Sequence, residues 1–273
     1  MNRKSLIIGG VVLALFFFLW MILGGKKTNS SDSASTSRQT VSAAELYAQA
    51  QKLQTDRDLL KAKEIYQQIM TEYPSYEKVE AVQKQLEGIN LEIILSNTTS
   101  PNSVMHEVSP SETLGVLAKK YNTTIDLIKQ NNNLKSDTIR VGQKLRIWIG
   151  QFNIFVDKSQ NKLMLKVGEE VMKVYDVSTG EKNSTPVGEF AITTKLVDPV
   201  WFNRGAVVPP ESPENVLGSR WLGFDLPGYG IHGTVEPETI GQQVTAGCVR
   251  MRNQDVEELY TFIPMGTKVV IVD

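Results

Sequence analysis

The sequence predicts a mixed chain: an N-terminal transmembrane helix, a small all-α segment, a small α+β unit, and a C-terminal mainly-β domain of sandwich or barrel type. Three observations predict it. An apolar run fills the N-terminus, apolar spacing is helical from Val41 to about Leu95, and from Gln151 onward short strand-like runs alternate with turns. The 273 residues allow one large domain or two or three small ones. A net charge of −1 disfavours nucleic acid as a partner. One cysteine excludes an intramolecular disulfide and a Cys-rich zinc site, and two histidines leave little for a metal cluster. A His- or Cys-based metal site is therefore not expected, and covalent chemistry has few candidates.

Residues 1–27 hold a basic start, Arg3-Lys4, and a nearly all-apolar run from Leu6 to Leu23. As a helix this run spans roughly 27 Å, near the thickness of a bilayer core. A cleaved signal peptide usually has a shorter apolar core and a small-x-small site, which Leu23-Gly24-Gly25 fits poorly. The reading is a retained membrane anchor. Lys26 and Lys27 on the far side leave only a weak positive-inside preference. Residues 28–40, rich in Ser and Thr, read as a flexible tether.

Residues 41–95 read as three helices. Leu46, Ala50 and Leu53 line the first, Leu59, Ala62, Tyr66 and Ile69 the second, and Val82, Leu86, Ile89 and Ile93 the third. Pro74 ends the second. The pattern Leu46, Ala50, Ala62, Tyr66, Pro74 resembles one tetratricopeptide repeat, although such arrays usually need about three units. A spacer is the favoured reading, and a protein partner held by this segment stays open as the alternative.

Residues 96–103 form a polar linker in which Pro101 and two asparagines favour turns. Residues 104–148 read as strand, helix, helix, strand. Leu114, Leu117, Ala118 and Tyr121 make one helical face, and Thr124 is the N-cap of a second helix carrying Ile125 and Ile128. Val141 to Ile147 is a turn entering a strand. Glu112-Thr113-Leu114, Ala118, Tyr121, Asn122-Thr123-Thr124, Asn131, Leu134, Gly142-Gln143 and Leu145 to Ile147 resemble a LysM domain. Ser111 stands where that family usually has Gly. The resemblance implies a βααβ fold that binds N-acetylglucosamine-containing glycans such as peptidoglycan, with Thr113 and Asn131 as candidate contacts. His106 reads as a strand-lining histidine without a catalytic role.

Residues 151–273 read as strands at Asn153–Asp157, Lys162–Val167, Val171–Val177, Phe190–Thr194 and Lys268–Val272, with one helix from Asn253 to about Ile263. Lys195 to Gly218 contains four prolines and little periodicity, the mark of a lid or binding loop. The chemistry collects at Tyr229-Gly-Ile-His232-Gly233-Thr234 and Thr245-Ala-Gly247-Cys248-Val-Arg250-Met. A free thiol is a weak nucleophile until an imidazole or a positive charge favours its thiolate. His232 would take the proton and Arg250 would lower the thiol pKa. Backbone amides near Gly247 and Cys248 would form an oxyanion hole. Composition alone leaves a second reading as good, in which Cys248 is a buried small hydrophobe.

These two motifs resemble the signature of the L,D-transpeptidase (YkuD-like) catalytic domain. Ser178-Thr179-Gly180, Thr185-Pro-Val-Gly188, Trp201, Gly218, Arg220 and Pro237 agree with it. Thr245 stands where many members have Ser, and Ala246 where many have His. The resemblance implies Cys248 as nucleophile, His232 as general base and acid, and a backbone carbonyl near Gly233 orienting the imidazole. Thr245 and Gly247 would help hold the site or the oxyanion. Arg250 would bind a substrate carboxylate or position the loop. Tyr229, Trp201, Arg220 and Thr234 would belong to the substrate pocket.

The implied activity is peptidoglycan cross-linking: acyl transfer through a Cys248 thioester from a tetrapeptide stem, releasing D-alanine, to an amine of a neighbouring stem. The acyl transfer implied by the resemblance needs no metal or organic cofactor. Carbapenems are expected to acylate the same thiol. The expected location is a single-pass plasma-membrane protein with its N-terminus inside and its catalytic domain facing the periplasm or wall. Two rivals remain. One is a carboxypeptidase or endopeptidase whose thioester goes to water. The other is a non-catalytic peptidoglycan-binding scaffold. A papain-like peptidase is disfavoured, because its Cys generally precedes its His.

Overall fold

The computed structural model describes residues 41–203 and 205–273. The expected anchor and tether lie outside the described residues. Among the described residues no helix is long and apolar enough to cross a membrane. The chain divides into two compact units between Asn90 and Leu91.

The first unit contains α1 (Ala43–Thr55), α2 (Leu59–Glu72) and most of α3 (Val79–Leu95). A capping box opens α1: the Ser42 hydroxyl accepts from the Glu45 amide at 3.3 Å, and the Glu45 carboxylate accepts from the Ser42 amide at 2.8 Å. α2 stops two residues before Pro74, because the residue preceding proline is kept out of the helical region. Ala50 and Ala62 are fully buried, and their small side chains let α1 and α2 pack closely. Tyr66 is also buried, and its hydroxyl donates to Gln54 at 3.2 Å.

The second unit begins in the last turn and a half of α3. Its α+β part is β1 (Ser103–Glu107), α4 (Leu114–Tyr121), α5 (Ile125–Asn131) and β2 (Lys144–Trp148), with β1 and β2 antiparallel. The core is Val108, Leu114, Leu117, Ala118, Ile128, Leu145 and Ile147. Thr113 and Thr124 cap α4 and α5, accepting from the Val116 and Leu127 amides at 3.2 and 3.0 Å. Ser111, which stands where a glycine is usual, holds a φ of +68°. The turn therefore keeps a left-handed geometry without the residue that favours it.

The end of α3 is held by Arg146. Its guanidinium is 2% exposed and donates to the carbonyls of Ile93, Ile94 and Ser96 at 2.9, 3.2 and 2.7 Å. The last carbonyls of a helix lack partners within it, and this buried cation supplies them. Burial pushes the Arg146 pKa down to about 10.

The C-terminal part is mainly β, as expected. Its strands are β3 (Phe152–Asp157), β4 (Lys162–Val167), β5 (Glu170–Asp176), β6 (Thr179–Gly180), β7 (Gly188–Val197), β8 (Trp201–Asn203), β9 (Ala206–Val208), β10 (Arg220–Phe224), β11 (Gly230–His232), β12 (Gln243–Thr245), β13 (Val249–Arg250) and β14 (Lys268–Val272). Eight of them form one mixed sheet in the order β13-β11-β10-β7-β14-β3-β4-β5. The ten-residue β7 links the two halves: Gly188–Ala191 pairs with β14, and Ile192–Val197 pairs with β10. The helix α6 (Asn253–Phe262) buries Val256, Leu259 and Phe262. A stacked run of rings from Trp148 through Phe152 to Phe262 joins β2 to α6, with centroids 5.9 and 5.7 Å apart.

The Lys195–Gly218 segment departs from the expected irregular loop. Its first residues continue β7, and β8 with β9 forms a hairpin. Asn215, 2% exposed, ties the following turn by donating to the Pro199 carbonyl at 2.8 Å. The prolines hide the strands because they interrupt the alternation by which a strand is read.

Candidate active site

The two short motifs meet at one edge of the sheet. β11 and β13 run parallel, with Ile231 opposite Val249 and His232 opposite Arg250. Cys248 immediately precedes β13, two residues before Arg250. Side chains alternate along a strand, so this register directs Cys248 and His232 to the same face.

His232 is 3% exposed. Its Nδ1 donates to the Gly233 carbonyl at 2.7 Å, which leaves Nε2 as the basic nitrogen. The Trp221 ring stacks on the imidazole at 6.0 Å between centroids. Burial pulls the His232 pKa down from 6.5 to about 4, and the Arg250 charge adds to the shift. The Gly233 and Leu217 backbone bonds oppose it. The imidazole is neutral at neutral pH, the form a general base needs.

Cys248 is half-buried, and its Sγ lies 3.5 Å from the Gly228 carbonyl. Burial pushes the thiol pKa up, against the backbone of Gly230 and the charge of Arg250, which lower it. The expected lowering by Arg250 is present, and desolvation outweighs it. The resting pair is thus a neutral thiol and a neutral imidazole.

Thr245 shapes the loop that carries Cys248. Its hydroxyl donates to the Cys248 carbonyl at 2.7 Å and accepts from the Gly247 amide at 3.2 Å. The Gly247 amide is thereby occupied, which removes it from the expected oxyanion hole and leaves the Cys248 amide as the candidate. Gly247 has a φ of +131°, and a Cβ there would sit 2.8 Å from the Tyr229 ring. Only glycine fits, and Tyr229 lies directly against the loop that carries Cys248.

Other expected contacts fall elsewhere. Arg250 is 7% exposed, and its Nη1 donates to Glu236 at 2.9 Å and Thr239 at 3.0 Å. It positions the loop rather than presenting a free guanidinium to a substrate carboxylate. The Thr234 hydroxyl accepts from the Glu236 amide at 2.9 Å, a turn bond that uses its polar group. Arg220 neighbours Trp221 on β10 and so points to the opposite face. There its guanidinium lies 5.5 Å from the Tyr260 ring centroid, in a groove lined also by residues of α5, away from the thiol. Trp201 stands in the separate β8–β9 hairpin. In the α+β part Thr113 is exposed, whereas Asn131 is fully buried and donates to the Ile94 carbonyl. Asn131 therefore props α3 and is not available to a glycan.

Sequence reasoning missed Trp221, the Gly228 carbonyl and Asn253. The last accepts from the backbone amides of Ser219 and Thr234 at 3.2 and 2.9 Å. An aromatic two residues before a glycine, or an asparagine opening a helix, carries no local mark of such a place.

The sequence profile of the L,D-transpeptidase catalytic domain matches residues 151–271, and that of the LysM domain matches residues 106–148. The L,D-transpeptidase-type protein YqjB of Bacillus subtilis is 41% identical over 126 residues, covering 44% of this chain and 70% of that protein. The YkuD proteins of Bacillus licheniformis and Bacillus subtilis are each 32% identical, over 62% and 61% of this chain and 98% and 97% of their own lengths. The chain belongs to the L,D-transpeptidase family. Within this L,D-transpeptidase, His232 ends β11 opposite Arg250, Cys248 immediately precedes β13, and the LysM domain precedes β3 directly in the chain.

Proposed function

We propose that this L,D-transpeptidase cross-links peptidoglycan through a thioester on Cys248. The observation that carries the reading is the pairing of β11 with β13, which sets a half-buried thiol on the same face as a buried, neutral imidazole. Sγ attacks the carbonyl carbon that follows the third residue of a tetrapeptide stem. As the C–S bond forms, the thiol proton passes to Nε2 of His232. The imidazolium then protonates the departing nitrogen, the C–N bond breaks, and D-alanine leaves. An amine of a second stem attacks the thioester, and its proton returns by way of His232 to the sulfur. The Gly233 carbonyl holds the ring through this cycle and stabilises its charged form, in the place a triad carboxylate occupies elsewhere. The Cys248 amide is the candidate donor to the oxyanion.

The LysM domain supports glycan binding beside the catalytic domain, which raises the local concentration of stems. In this reading residues 1–27 anchor the protein in the plasma membrane, residues 28–40 are the tether, and the catalytic domain faces the wall.

The test is incubation with a purified disaccharide-tetrapeptide, read by mass spectrometry beside Cys248→Ala. A cross-linked dimer lacking one D-alanine, absent with the variant, is the expected result. Free tripeptide without dimer would replace transpeptidation with hydrolysis. No product from either form would return the scaffold reading.

A further inference from the structure

Asn253 is the first residue of α6 and lies outside both motifs. Its Oδ1 accepts two backbone amides, Ser219 at 3.2 Å and Thr234 at 2.9 Å. These amides belong to the two segments that grip the imidazole. Gly233, next to Thr234, accepts from Nδ1 at 2.7 Å, and the backbone of Leu217, two residues before Ser219, acts with it to favour the charged ring. The approach is close on both sides: a Cβ would lie 2.2 Å from Oδ1 if placed on Gly218, and 2.1 Å if placed on Gly233. Glycine at both positions is what admits the carboxamide. We infer that Asn253 is a positioning residue for His232, pinning with one oxygen the two backbone segments that orient the imidazole.

The choice of an amide has a consequence. The charged and titratable groups facing His232 are Arg250, its cross-strand partner on β13, and Cys248 in the loop before it; Glu236 is paired with Arg250. From β10, Trp221 covers the ring while Arg220 turns toward Tyr260. On α6, Asp255 sits 3.7 Å from Arg252. An amide at 253 accepts both bonds and adds no charge. A carboxylate there would accept the same bonds and hold a proton on the imidazole.

The inference rests on the acyl-transfer reading only for its effect on turnover, so the test includes readouts that need no substrate. The full chain is compared with Asn253→Asp and Asn253→Ala. Side-chain NMR titration follows its two histidines, with His106→Gln assigning the signals. Alkylation by iodoacetamide follows its single thiol. Asn253→Asp is expected to raise the His232 titration by roughly one pH unit or more and to move the acid limb of alkylation with it. Asn253→Ala is expected to lower kcat on the tetrapeptide stem about tenfold with KM nearly unchanged, as for a loss of base geometry. An unmoved His232 titration in Asn253→Asp overturns the inference, even if Asn253→Ala does not fold. A rise in KM at unchanged kcat in Asn253→Ala overturns it too, by assigning the residue to substrate binding. Wild-type chain that titrates as described but turns over no stem would sink the functional reading and leave the positioning result intact.

Discussion

The two histidines show how environment divides one residue type between two tasks. His106, in the LysM domain, uses both ring nitrogens: Nε2 meets the Glu112 carboxylate at 2.7 Å and Nδ1 meets the Tyr121 hydroxyl at 3.0 Å. Glu112 in turn accepts from the Ser109 amide at 2.8 Å, so the ring staples β1 to the turn before α4. His232 has one nitrogen tied to a neutral carbonyl and no carboxylate on the ring. It is buried and neutral, and the β11–β13 register places it on the same face as the single thiol. With both ring nitrogens engaged, His106 is a structural cross-link. At His232 the carbonyl partner fixes the ring's orientation and leaves the proton free to come and go.

Substitution at the two sites should separate these roles. His232→Gln is expected to lower turnover of the tetrapeptide stem by about a hundredfold to ten-thousandfold, measured by D-alanine release. Retention of near wild-type turnover would remove His232 from the mechanism.

The next effect is on acid stability. The His232 pKa is about 4 in the folded chain against 6.5 ordinarily, so between these values the unfolded chain binds more protons. Its contribution to stability is complete above about pH 6.5 and is lost as pH falls toward 4. The loss is on the order of 3 kcal/mol. Urea unfolding across this range checks it, and His232→Gln should flatten the slope.

The smallest effect is expected at the other histidine. His106→Gln removes the staple and should lower the melting temperature by about 3 °C. Turnover of a soluble stem should stay at the wild-type rate. A parallel fall in turnover would mean that the two sites are coupled.

Much of this was legible from local pattern. The short apolar runs in Asn153–Asp157 and Lys162–Val167, separated by turn residues, mark strands that the structure contains, and Thr124 caps its helix as its residue type and place suggest. The strands nearest the thiol were not legible. β11 and β13 have three and two residues, too few to show a period. The side-chain directions that follow from them were hidden as well. Arg220 and Trp221 are adjacent in sequence, yet one faces Tyr260 and the other His232, because neighbours on a strand point to opposite faces. Asn131, a candidate glycan contact by resemblance, is instead buried against the end of α3.

The sequence by itself determined the order of the parts and, through its two short motifs, the family to which the C-terminal part belongs. Only the tertiary structure decided the protonation states of His232 and Cys248 and which polar residues face the site. Both depend on what surrounds a side chain. Desolvation of His232 and Cys248 comes from segments remote in the chain, and a pKa records the balance of burial, charge and hydrogen bonding at one point in space.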